Sequence, residues 1–154
     1  MENDEKTMEG LEKRLRELDA RAVIGKVLTE ATWIEGLLTK VLEANMPEKS
    51  NNLRESLYEN GPLTTFSYKI KIARAFGFIP ADLAAEIHKI RVIRNRFAHT
   101  DDHLTFKNEE IAKLVSKLDA AQGTDEAAAD AFVNAILDIA DKLIKLWRIR
   151  VHGK

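Results

Sequence analysis

Three prolines, Pro47, Pro62 and Pro80, and seven glycines are the only strong helix breakers in 154 residues, and between them apolar side chains recur every three or four positions. That spacing lines one side of a helix and does not suit a strand. The chain therefore reads as all-α. Leu11, Leu15, Leu18 and Ala22, then Val27, Ala31, Ile34, Leu38 and Val41, predict a buried helical face, with Asp19 a cap between a short first helix and a long second one.

"NMPEKSNN" breaks the pattern, and a short helix is expected around "LRESLY". "ENGPL" reads as a turn, since Asn60-Gly61 tolerates positive φ and Pro62 can open a helix at its first turn. Phe66, Ile70, Ala73 and Phe76 carry the next helix to Gly77, a C-terminal stop, and Pro80 restarts the chain. After His99 a polar loop leads to a helix from about Asn108 to Leu118. "AQGT" breaks again, with Thr124 as N-cap and Asp125 and Glu126 in the first turn of the last helix. The expected architecture is a single-domain helical bundle of six or seven helices spanning residues 1–154, with no internal repeat.

The acidic start "MENDEKTMEG" has no apolar run behind it, so neither a secretory signal nor a spanning helix is expected and the protein reads as cytoplasmic. The absence of cysteine excludes disulfides, cysteine metal sites and a thiol nucleophile. Lys plus Arg is 24 against 25 for Asp plus Glu, a net charge of -1, so any anion site must be local.

The local candidate is "KIRVIRNRFAH", Lys89 to His99, which is rich in cations and free of acids. On a wheel starting at Leu83, Ile87, Ile90, Ile93 and Phe97 fall at about +40°, -20°, -80° and -40°, a buried stripe. Arg94 falls at about +20°, inside that stripe, while His88, Arg91, Asn95 and His99 lie along its edge at roughly 80° to 160°. A guanidinium in that position must snorkel or meet a carboxylate. Glu30 and Glu35 of the long helix flank its apolar face, and either can supply the oxygen of a structural ion pair. His99 stands near the end of its helix, where free carbonyls favour a cation, so a capping role competes with a catalytic one.

"GPLTTFSYKIKIARAFGFI", residues 61–79, followed by "IRVIRNRFAH", 90–99, and "LTF", 104–106, resembles the mannitol operon repressor family, with its Gly-Pro-Leu-x-x-Phe-Ser and Ile-Arg-Asn-x-Phe-Ala-His segments. "RAVIGKVLTEATWIEGLL" is similar to the family's second helix, with Glu35 where the family tends to place an acid, which singles out an Arg94–Glu35 pair. Arg96 stands where the family more often has an acid and makes the segment more basic. The resemblance implies a compact all-helical regulator of a sugar operon. No helix-turn-helix with a basic recognition helix is present, so the regulator is expected to work through protein contacts and without sequence-specific DNA binding of its own. Arg91, Arg94, Asn95 and His99 are its expected binding residues.

Arg94-x-x-x-x-His99 is also similar to the Arg-x(4 to 6)-His signature of HEPN domains, helical bundles many of which cut RNA. That resemblance implies the alternative: a metal-independent ribonuclease or RNA-binding protein, with His99 moving the 2′-OH proton and Arg94 stabilising phosphate charge. Arg94 and His99 lie about 140° apart on one helix. A homodimer bringing two copies together is the geometry expected, with Asp101 and Asp102 of each copy facing the other's basic edge.

His88, His99, His103 and His152 show no metal-ligand spacing, and no phosphate-cradling glycine loop or dinucleotide fingerprint occurs. No metal and no cofactor is expected. The tail "KLIKLWRIRVHGK" is either a set of cations complementing a helix dipole or an anion contact using Trp147 as a stacking surface. Trp33, beside Ile34 and Leu37, is expected to pack.

Overall fold

The computed structural model describes residues 2–99 and 103–153, with side chains from residue 6 onward. Six α-helices and one 3₁₀ turn are present among them, and no strand: α1 Glu2–Asn45, α2 Asn51–Tyr58, α3 Phe66–Ala75, α4 Ala81–Ala98, α5 Glu109–Val115, the 3₁₀ turn Asp119–Ala121 and α6 Ala128–His152. α1 packs on α6, α4 and α3, and α4 is held between α1 and α3 with α5 and α6 against it. One apolar core runs through all of these, including Ile34, Leu38, Leu63, Ile87, Ile90, Ile93, Phe97, Ile111, Phe132, Ile139 and Leu143. No helix among the described residues is long and apolar enough to cross a membrane.

Local chemistry explains the boundaries that hold. Ser50 and Thr65 accept from the backbone N–H groups of Leu53 and Tyr68 and start α2 and α3, and Asn108 caps α5 in the same way. Gly77, at φ 70°, supplies the left-handed residue that lets the chain leave α3.

Other boundaries differ from expectation. α1 is one continuous helix and Asp19 caps nothing: an interior aspartate costs well under about 1 kcal/mol, and no glycine stop or proline stands beside it. Leu11, Leu15, Leu18 and Ala22 are exposed, whereas Ala20, Val27, Ala31, Ile34, Leu38 and Val41 face the core. Leu18 and Val27 are nine residues apart, about 180° round the helix, so the two runs form opposite faces. Pro62 lies in a turn rather than in the first turn of a helix, and α6 begins at Ala128 without a side-chain cap, leaving Thr124, Asp125 and Glu126 in the preceding loop. Phe76 is 70% exposed because it sits at the C-cap of α3, past the buried stripe, and Trp33 is 42% exposed on the outer side of α1.

The turn at Gly61 is governed by space rather than by positive φ. A Cβ there would lie 1.9 Å from the Ser56 carbonyl oxygen, while neither Asn60 nor Gly61 has positive φ. This close approach lets Leu63 N–H donate to Leu57 O at 2.8 Å and drives Leu63 into the core.

Candidate functional site: the polar edge of α4

α4 begins after Pro80, and Leu83, Ile87, Ile90, Ile93 and Phe97 are buried as the wheel requires. Its opposite edge presents His88, Arg91, Arg94, Asn95 and His99. Arg91 Nη2 lies 3.4 Å from His88 Nδ1, and its Nε is buried without a hydrogen-bond partner among the described residues. Burial, then the positive charges of Arg91 and Lys71, hold the His88 imidazole below its ordinary range. A neutral ring is the form whose Nδ1 can accept from Arg91.

Arg94 is half-buried and donates from Nη1 to Asn95 Oδ1 at 3.2 Å. The expected Arg94–Glu35 pair is not formed. Glu35 faces α3, where Lys69 Nζ sits 3.0 Å from its carboxylate, and Glu30 is not within ion-pair distance of Arg94 either. The wheel placed the Arg94 backbone correctly, but its long side chain snorkels to the polar edge instead of entering the core. His99 is the C-cap residue of α4, its N–H donating to Asn95 O at 3.1 Å and its side chain exposed. Asp101 and Asp102, the acids expected to face this edge across a dimer, lie outside the described residues.

The remaining cations of the helix are neutralised. Arg96 grips Glu110 of α5 through Nε–Oε1 at 2.7 Å and Nη2–Oε2 at 2.9 Å, and these bonds hold the Glu110 carboxyl below its usual range. The basic character that Arg96 lends the sequence is thus offset within the bundle. Lys89 pairs with Glu86. Arg91 and Arg94 have no carboxylate within 4 Å among the described residues, so the free positive charge of α4 is concentrated on its central edge.

Glu86, a residue sequence reasoning missed, is buried to 4% exposure and accepts the Asp119 N–H on Oε2 at 3.1 Å. At about -60° on the same wheel it falls inside the apolar stripe, and an acid at such a bearing, like a guanidinium, must find a partner. In α6, Lys142 and Lys145 pair with Asp138 and Asp141, and Trp147 is half-buried beside a hollow of about 200 Å³ lined by Leu37, Lys40 and Ile144. No cluster of three or more histidine or acidic side chains able to hold a metal occurs among the described residues.

Fold and edge define an all-helical bundle that displays two guanidinium groups, an amide and two imidazoles along one helix. Comparison with protein-family models, with curated proteins and with solved structures gives no match to this chain.

Proposed function

We propose that this protein is a regulatory protein-interaction module that uses Arg91, Arg94, Asn95 and His99 on α4 to bind an acidic surface of a partner protein, and that it acts in transcriptional regulation of sugar metabolism. The observation that carries this reading is the pair of guanidinium groups with no carboxylate partner among the described residues, on a helix whose other cations are paired. Guanidinium in a half-desolvated setting favours planar, bidentate anions, and a carboxylate-bearing protein surface supplies them. The likeness of residues 61–79, 90–99 and 104–106 to the mannitol operon repressor family supports the regulatory context. With a net charge of -1 and no recognition helix, promoter reading belongs to the partner.

The test is capture of the tagged chain with its partners from source cells, with nucleic acid either digested or left intact. An acidic protein retained after digestion, and lost with Arg91→Glu combined with Arg94→Glu, is the expected result. Capture of RNA alone, abolished by digestion, overturns it.

The open guanidinium of Arg94 and the exposed ring of His99 favour one second reading, metal-independent RNA cleavage. His99 would take the 2′-OH proton as that oxygen attacks phosphorus, the 5′-oxygen leaving with a proton returned to it and Arg94 balancing the phosphorane charge. Cleavage in the presence of chelator, ending in a 2′,3′-cyclic phosphate and abolished by His99→Ala, would establish this activity. Intact RNA excludes it.

A further inference from the structure

Along the outer side of α1, opposite the core, runs a second helical stripe that the bundle leaves uncovered. It consists of Met8, Leu11, Leu15, Leu18, Ala22, Gly25, Thr29, Thr32 and Gly36, spaced alternately by three and four, and all nine are exposed. The four large residues are 48% to 66% exposed. Spacing of three and four in turn is that of positions a and d of a two-stranded coiled coil, with large apolar residues in its first half and small ones in its second. Gly25 and Gly36 stand on this seam inside a helix, and a Cβ at either would meet nothing within 4 Å. Glycine in a helix interior costs about 1 kcal/mol relative to alanine, and no contact within the chain calls for it.

We infer that α1 pairs antiparallel with α1 of a second copy through this outer stripe. The choice of occupant follows from size. In an antiparallel alignment centred near residue 20, Met8 faces Thr32 of the other copy, Leu11 faces Thr29, Leu15 faces Gly25 and Leu18 faces Ala22. Every layer then matches one large side chain with one smaller one, so the helix separation stays even along the contact and each leucine fills the space that a glycine, alanine or threonine leaves. A parallel pairing would instead stack leucine on leucine at one end and glycine on glycine at the other, and the helices would splay. Trp33, exposed at the margin of the stripe, comes beside Met8 of the other copy and covers it. Because the core-facing residues lie on the opposite side of α1, the two bundles sit on the two outer sides of the pair.

Charge is divided. Glu12 shares a flank with Lys26 of the other copy, twice by symmetry, whereas Asp19 meets Asp19 and Arg21 meets Arg21 near the axis. Exposed pairs of this kind contribute little beside four size-matched layers on each half. Their arrangement nonetheless separates the two orientations, since a parallel pairing would place Asp19 against Arg14 of the other copy.

The absence of cysteine makes the test direct. Light scattering of the full chain at micromolar concentration should give twice 17.4 kDa. Leu11→Glu combined with Leu15→Glu should give the monomer mass and still unfold cooperatively, with a thermal midpoint that no longer depends on protein concentration, because neither side chain belongs to the core. Under mild oxidation, Leu15→Cys and Gly25→Cys proteins should crosslink when mixed, while Leu15→Cys alone should not. Asp19→Asn should lower the dimer dissociation constant several-fold. A monomeric wild-type chain, or a dimer that survives the double glutamate change, overturns the inference. Crosslinking of Leu15→Cys with itself, together with weaker association of Asp19→Asn, overturns the antiparallel alignment. Arg91→Glu leaves this dimer intact, so failure here and failure of the α4 reading are told apart.

Discussion

The Glu86 carboxylate of α4 accepts the backbone N–H of Asp119 at 3.1 Å and pairs through its other oxygen with Lys89, so one buried side chain ties α4 to the first residue of the 3₁₀ turn before α6. Asp119 N–H is one of the donors that a helix start leaves unsatisfied, and no side chain of Leu118 caps it. Glu86→Ala removes that acceptor and leaves Lys89 beside a gap, at an expected cost of about 3 kcal/mol. Glu86→Gln keeps an acceptor and should cost less. Urea denaturation of the two variants checks both the size and the order, and an unchanged midpoint for Glu86→Ala would show that the carboxylate is not part of the fold's stability.

Arg94 is expected to matter less to stability than Lys69. Arg94→Ala strands no carboxylate, only Asn95 at an edge, and should lower stability by about 1 kcal/mol or less. Lys69→Ala leaves Glu35, whose side chain is only 22% exposed, without its partner and should cost about 2 kcal/mol. Chemical denaturation of both variants decides the matter, and the reverse order would restore a carboxylate contact to Arg94.

Helix breaks and the α4 stripe were legible because they depend on local chemistry: Gly77 at a helix end, Asn108 at a helix start, and five apolar residues of α4 at helical spacing, all buried. The two faces of α1 were not, since periodicity fixes the phase of each run but does not say that Leu18 and Val27 point in opposite directions. Asp19 lies within the first run, before the change of face between Ala22 and Val27, and its cap-forming side chain alone gave it the look of a boundary. For Arg94 a wheel gives the bearing of the backbone, not the reach of a long side chain. The matches of Lys69 with Glu35 and Arg96 with Glu110 span 34 and 14 residues and exist only once α3 and α5 are in place.

Gly61→Ala should be among the more damaging single-methyl additions in this chain. Its Cβ would meet backbone, the Ser56 carbonyl oxygen at 1.9 Å and the Leu57 Cα at 3.0 Å, so the turn itself must move and not merely a side chain. The displaced segment carries Leu63, whose N–H bonds Leu57 O and whose side chain is in the core. A loss of about 2 to 4 kcal/mol is expected from overpacking of this kind. Gly25→Ala, with open space around it, should instead stabilise the monomeric helix by about 1 kcal/mol. Thermal denaturation of the two alanine variants in the Leu11→Glu, Leu15→Glu background isolates the monomer and compares them directly.

Alkaline pH should weaken the fold through Tyr58, half-buried against Met46 where α2 meets the end of α1. Burial first, and then the negative charge of Glu43, push the Tyr58 hydroxyl up to about 12, while Arg54 pulls the other way. Below its ordinary value of 10 both folded and unfolded chains keep the proton, and the group contributes no pH dependence. Above it the unfolded chain releases the proton first, so stability falls as pH climbs from 10 towards 12. Lys89 acts in the same direction: its hydrogen bond to Glu86 holds the amino group above its ordinary value of 10.5, and the stability this brings is complete below that value and lost as pH rises through the folded one. In a Tyr68→Phe background the phenolate absorbance reports Tyr58 alone. Its midpoint should lie near 12, rise further in Arg54→Ala, and be accompanied by a denaturation midpoint that declines above pH 10 less steeply once Tyr58→Phe is made. A phenolate midpoint at 10 would show that the α1–α2 junction leaves the hydroxyl in water.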